Sequence, residues 1–256
     1  MRIEKRFANG TKAAHLIVRI AVGGVACWLL ARGFPRHGMP FMEIPALAVI
    51  VRTWRGLPMR TAASLAFFEG IVFYAIVYGW FVEAVASHAG PLAAFIDLGA
   101  AALSAWSWAL AAVFAVACTR VVRPQLVPLA IALAFTLCES LRLYGPLANP
   151  FGTIGEPFVA SSLAPLATIG GAASLTFAVA LVAASLSELT TSVAFVRNFA
   201  VTVFSVVVVL GLAWLAWPAR TLAKATIPVA LVQGNIRKPS SGTGERFRNR
   251  SSATFG

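Results

Sequence analysis

Ionisable side chains are costly inside apolar stretches, so the few that this sequence places there are its first candidates for chemistry. Glu139 and Arg142 stand three residues apart near the end of one apolar run. On a helix that spacing puts both on one face, close enough to pair. Two readings follow: an ion pair that fixes a helix end, or a carboxylate and a guanidinium that hold a ligand, with Arg142 close enough to the end to reach lipid headgroups. Glu69, in AFFEGIVFY, and Arg19, in the first apolar run, have no close partner in sequence. Either they pair with each other across a bundle, or Glu69 lines a polar cavity. Asp97, near the start of an apolar run, reads as interfacial.

Other reactive residue types offer less. Cys27, Cys118 and Cys138 all lie within apolar segments, with no Cys-x-x-Cys and no Cys/His cluster. Such thiols behave as small core hydrophobes. His15, His37 and His88 are scattered, so no metal site and no cofactor is expected. The seven tryptophans fall largely near the ends of apolar runs, where interface anchors belong.

These residues need elements to hold them, and composition says which. The chain has 256 residues, 59% hydrophobic and 12% charged, with a mean hydropathy of +0.81. That profile excludes an ordinary soluble domain. Seven apolar segments can be drawn, over residues 15–31, 41–51, 61–82, 91–117, 126–143, 163–186 and 195–217. A helical crossing takes roughly 20 residues, so the second is the shortest candidate, tilted or re-entrant. The fold class expected is an all-α polytopic membrane bundle of about seven transmembrane helices. A basic N-terminus occupies 1–13, and the bundle occupies 14–218.

The net charge of +12 arises mostly from Lys and Arg in short loops, as retention of positive charge in the cytoplasm predicts, and nucleic acid is not an expected partner. With the N-terminus inside, the inner segments carry Arg2, Lys5, Arg6, Lys12, Arg52, Arg55, Arg60, Arg120, Arg123 and Arg197, against Arg32, Arg36 and Arg142 outside, plus the basic residues that follow the last span. Seven crossings then put the C-terminal side on the periplasmic face of a bacterial inner membrane. The first apolar run has no cleavage site near its end and reads as an uncleaved span. The Gly- and Pro-rich loop from Tyr144 to Ser162 cannot lie exposed to lipid, because its backbone groups would be unpaired. It rests on the outer surface or folds back into a protein-lined cavity.

The order of features in ESLRLYGPLANPFGTIG, followed by LAPLATIGG, resembles the central membrane segment of apolipoprotein N-acyltransferases. The family's Glu, Arg, Pro-aromatic pair, Gly, Leu-Ala-Pro and Gly fall on Glu139, Arg142, Pro150 with Phe151, Gly155, Leu163-Ala164-Pro165 and Gly170. FFEGIVFYAIVYGW is similar to the family's third span. VALVQGNI resembles the first strand of the nitrilase-like catalytic domain that follows its seventh span. The resemblance covers roughly residues 61–236. It implies a membrane part that binds phospholipid, beside an outer domain that transfers an acyl chain to the N-terminal cysteine of a lipoprotein. The lipid-binding candidates it implies are Glu139, Arg142, Tyr144, Pro150, Phe151 and Gly155, with Arg19 and Glu69 as intramembrane polar candidates. A related branch, the conjugal transfer protein TraB, is equally similar, and it makes conjugation machinery an alternative partner to lipoprotein. A small transporter is a third reading, for which neither inverted repeats nor paired broken helices are visible.

The departures are as informative. Asn149-Pro150-Phe151 stands where the family has Phe-Pro-Trp. The nitrilase-like start is expected over 219–236, with a basic, disordered tail over 237–256. Nitrilase-type acyl transfer needs a Cys nucleophile, a Glu base and a Lys for the oxyanion. No cysteine follows Cys138, and nothing matches Lys224, Lys238 or Glu245 to the family's catalytic positions. The sequence as given is therefore expected to be catalytically silent by itself, either as a truncated product or as part of a longer reading frame.

Overall fold

The computed structural model describes residues 2–34, 38–144, 148–189 and 195–221. Among them are eight α-helices: α1 (Arg2–Ala31), α2 (Glu43–Trp54), α3 (Met59–Val77), α4 (Gly79–Ala89), α5 (Leu92–Val121), α6 (Val127–Leu141), α7 (Ala167–Ser187) and α8 (Phe195–Thr221). No strand occurs among the described residues. The expected nitrilase-like strand and the basic tail lie outside them.

Among the described residues, six helices are long and apolar enough to cross a membrane: α1 from Ala14, α3, α5, α6 with the turn before it, α7 with the turn before it, and α8 to Ala216. The all-α membrane bundle is thus the fold. The second expected span differs from the rest. At 12 residues, α2 is about 18 Å long, against a hydrocarbon layer of about 30 Å. It runs alongside the second half of α1. Arg19 of α1 hydrogen-bonds to carbonyls at the C-terminal end of α2, and Gly33, just past α1, lies against Glu43 at the start of α2. The two are therefore antiparallel. α2 survives as a short helix because it is sheltered: Leu47, Ile50, Val51 and Trp54 are buried, and it packs against both α1 and α7.

The third segment also departs from a simple span. The helix breaks at Tyr78, and α4 continues beyond it. Likewise α7 is broken at Gly170 and Gly171, the latter at φ +62°, which a residue with a side chain rarely adopts. Ser174 Oγ donates to the Leu166 carbonyl at 2.6 Å across this break, taking up a backbone acceptor that a continuous helix would have satisfied. A core of Phe73, Tyr74, Trp108 and Phe135 joins α3, α5 and α6, with Phe73 stacked on Trp108 at a ring separation of 5.0 Å. Trp54 and Trp108 are consequently core residues, not interface anchors, whereas Trp28, Trp80 and Trp214 are exposed as the anchor reading requires.

Candidate functional site

The site is built around the end of α6, where the helix stops and the Gly- and Pro-rich loop begins. Glu139 and Arg142 are both buried, but no ion pair joins them. Arg142 stands just past the last helical residue with helical backbone angles, and its guanidinium turns to the loop carbonyls rather than to Glu139. Each serves the loop in a different way.

Glu139 Oε1 accepts from the Ile154 backbone N–H at 3.0 Å, and Oε2 accepts from Thr176 Oγ1 of α7 at 2.8 Å. Thr176 Oγ1 in turn accepts from the Gly155 N–H at 3.0 Å. The carboxylate thus links α6, the loop and α7. Gly155 is needed for this contact, since a Cβ there would stand 2.6 Å from the Ala172 carbonyl oxygen and 2.7 Å from the Thr176 nitrogen. Ile154 and Phe158 are wholly buried beside it. Of the two placements open to the loop, folding inward is the one observed.

Arg142 holds the preceding stretch. Its Nη1 donates to the carbonyls of Asn149 at 2.5 Å and Phe151 at 2.9 Å, and its guanidinium lies 4.9 Å from the centre of the Tyr74 ring. Backbone carbonyls facing a membrane interior need such a donor, and a cation there needs acceptors. Its Nε and Nη2 make no hydrogen bond. Tyr78, at the break between α3 and α4, completes the clasp. Its hydroxyl donates to the Phe151 carbonyl at 3.1 Å, contacts Ser104 Oγ at 2.9 Å and accepts from Asn149 Nδ2 at 3.0 Å.

What this clasp presents outward is apolar. The Phe151 side chain is 53% exposed and packs edge-on against Trp80 at 5.8 Å. With Phe81 and Leu103 they border a groove of about 670 Å³, whose polar floor is Tyr78, Ser104 and Asn149. Pro150 lies on the same rim. Tyr144, by contrast, is exposed away from the groove and is not among its lining residues.

The two remaining polar candidates do not join this site, nor do they pair with each other. Glu69 is fully buried. Its Oε2 accepts from Trp54 Nε1 at 2.6 Å, and its Oε1 meets Thr53 Oγ1 at 2.9 Å. Arg19 Nη1 donates to the Thr53 and Arg55 carbonyls, both at 2.7 Å. Both residues therefore fasten the last turn of α2. Asp97, in the second turn of α5, is covered by neighbouring side chains, and its Oδ1 has no partner.

Sequence reasoning missed Tyr78, Ser104, Asn149 and Thr176 as parts of the site, and it missed Glu43, which is buried with neither carboxylate oxygen hydrogen-bonded. Glu43 had a visible signal, being an acid inside an apolar run. The others carry ordinary polar groups whose convergence only the packing creates.

No curated protein matches the chain. Residues 26–185 match the family model described as the apolipoprotein N-acyltransferase N-terminal domain, a span that contains α2 to α6, the clasped loop and most of α7.

Proposed function

Because the chain belongs to the apolipoprotein N-acyltransferase N-terminal-domain family, we propose that it is a phospholipid-binding membrane domain whose acyl chain site is the groove beside Phe151. The observation that carries this reading is the groove itself: about 670 Å³, walled by exposed aromatic and aliphatic side chains and floored by Tyr78, Ser104 and Asn149. An acyl chain would lie along Trp80, Phe81, Leu103 and Phe151, while the floor hydroxyls and amide would meet the ester region. Arg142 and Glu139 act beneath it by holding the loop in place. Arg142 is too enclosed to be a headgroup ligand without movement of the loop.

The protein is membrane-embedded, and a bacterial inner membrane with the Arg52, Arg55, Arg60, Arg120, Arg123 and Arg197 end in the cytoplasm fits the distribution of charge. By itself the chain would bind lipid without transferring an acyl group. Cys27 and Cys138 are buried, and Cys27 Sγ donates to the Glu69 carbonyl at 3.3 Å; Cys118, partly exposed, lies in the last turn of α5, about 20 Å along the helix from Ser104, so none of these thiols presents a nucleophile to the groove.

Native mass spectrometry of the purified chain should show retained phospholipid. Leu103→Trp, an exposed change that fills the groove, should reduce the retained fraction several-fold at an unchanged unfolding midpoint. Retention unaffected by Leu103→Trp would remove the groove from the account. Covalent acylation of the purified chain by a reactive acyl donor would refute its silence.

A further inference from the structure

Two buried acids rest on glycines, one within α1 and one just past it, and they differ in one respect. Glu69 lies against Gly23, and its oxygens meet Trp54 and Thr53. Glu43, in the first turn of α2, lies against Gly33, in space that a Cβ at residue 33 would occupy. It is 0% exposed, and neither of its oxygens has a hydrogen-bond partner. The charged groups that act on it are both acids: Glu139 of α6 and Glu156 of the short turn Glu156–Ala160. The nearest candidate cations are turned elsewhere. Arg142 addresses the Asn149 and Phe151 carbonyls, and Arg32 lies over the Trp28 ring.

A buried carboxylate with neither donors nor a counter-ion is far costlier than the neutral acid, and two further negative charges nearby add to the cost. The start of a helix favours an acid, but no α2 amide bonds to this carboxyl. It faces instead the C-terminal end of α1, where negative charge is disfavoured. A metal ion would relieve the repulsion, yet the described residues hold no group of three or more His, Cys, Asp or Glu able to bind one. Both oxygens of Glu139 are already taken by Ile154 and Thr176. A proton answers the same need with one atom. The groups around Glu43 also belong to the inward loop. Phe41, two residues before it, packs edge-on against Phe158 at 5.6 Å. Glu139 holds the Ile154 N–H, and Glu156 Oε2 accepts from the Gly152 N–H at 3.1 Å. A charge on Glu43 therefore repels the two acids that keep the loop in place.

We propose that Glu43 is a proton-binding site: in the folded bundle it stands as a neutral carboxylic acid, and loss of its proton loosens the inward loop from the start of α2. The site does not rest on lipid occupying the groove beside Phe151.

The full chain and Glu43→Gln are purified in detergent and compared by infrared difference spectroscopy at about pH 7, well above the ordinary carboxylate range. The expected difference is a carboxylic-acid C=O band that moves in deuterium oxide and is missing from Glu43→Gln. A carboxylate band in its place would overturn the proposal. Thermal unfolding gives a second readout. The unfolded acid ionises above about pH 4.3 while the folded one keeps its proton, so this group's contribution to stability is lost as pH rises. Glu43→Gln has no such proton, so its unfolding midpoint should gain several degrees over the unaltered chain between about pH 5 and about pH 8. A gap between the two chains that does not change with pH would also overturn the proposal. Protease cleavage within residues 152–160 should rise with pH several-fold more in the unaltered chain than in Glu43→Gln. An equal rise in both would refute the coupling of Glu43 to the loop.

Discussion

Arg142 and Arg19 each satisfy two backbone carbonyls through a single nitrogen, yet one is sealed in the bundle and the other sits at an open groove. Arg142, 2% exposed, is enclosed by the loop it holds and by the Tyr74 ring. Arg19 is half-buried and lines a pocket beside a second arginine. The same contact therefore does different work. In the sealed case the charge is spent on folding a Gly- and Pro-rich loop inward. In the open case the charge still has a free side. The acids repeat the contrast in a milder form. Glu139 and Glu69 each accept two hydrogen bonds, Glu139 from the loop and α7, Glu69 from the last turn of the short helix α2.

The comparison can be broken by substitution, beginning with the sealed cation. Arg142→Ala leaves the Asn149 carbonyl without its donor and the Phe151 carbonyl with Tyr78 alone, at a cost of about 3 kcal/mol, from roughly 1–3 for each buried group left unpaired and the packing against Tyr74 lost with it. Thermal unfolding in detergent should show the largest drop of the set, together with new protease sensitivity in the 149–155 loop. Loss of stability with the loop still protected would mean that Arg142 acts elsewhere.

Glu69→Ala removes the acceptor for Trp54 Nε1 and the partner of Thr53, and should cost about 2 kcal/mol on the same scale. Glu69→Gln preserves shape and one acceptor, so it should recover about half of that in the same unfolding assay. Equal losses for both would make charge, not the Trp54 contact, the decisive feature.

Arg19→Met should cost about 1 kcal/mol, because partly exposed carbonyls at the end of α2 can turn to headgroups or water. A loss as large as that of Arg142→Ala would erase the distinction between sealed and open. Phe151→Ala should be the mildest for folding, at under about 0.5 kcal/mol for an exposed side chain. Its effect should appear instead as a several-fold loss of retained phospholipid in native mass spectrometry.

Much of the candidate site was legible in the sequence because its members break local rules. Glu139 and Arg142 are charges in an apolar run, and Gly155 lies in a loop whose backbone cannot face lipid. Their partners were not legible. Tyr78 and Ser104 come from α3, α4 and α5 territory and meet Arg142 and Asn149 only through packing, and a hydroxyl gives no periodic signal. Of the two readings open for Glu139 and Arg142, the ion pair is not formed, because each is engaged by other groups: the carboxylate by the Ile154 N–H and Thr176, the guanidinium by the Asn149 and Phe151 carbonyls. The pairing of Arg19 with Glu69 failed because both found closer partners on α2. The fold was read well where hydropathy decides, and less well where it does not. Helix α2 is too short to register as a span by length, and the break in α7 is set by the adjacent Gly170 and Gly171.

The most direct test of the central claim, that the inward-folded loop forms one wall of a lateral lipid groove, is photolabelling in a bilayer. A phospholipid carrying a diazirine in its acyl chain would be activated by light and its adducts mapped by peptide mass spectrometry. The account predicts adducts concentrated on Trp80, Phe81, Leu103 and Phe151, and lost from that cluster in Leu103→Trp. Adducts spread over the outward faces of α1 and α8, with none on these four residues, would contradict it.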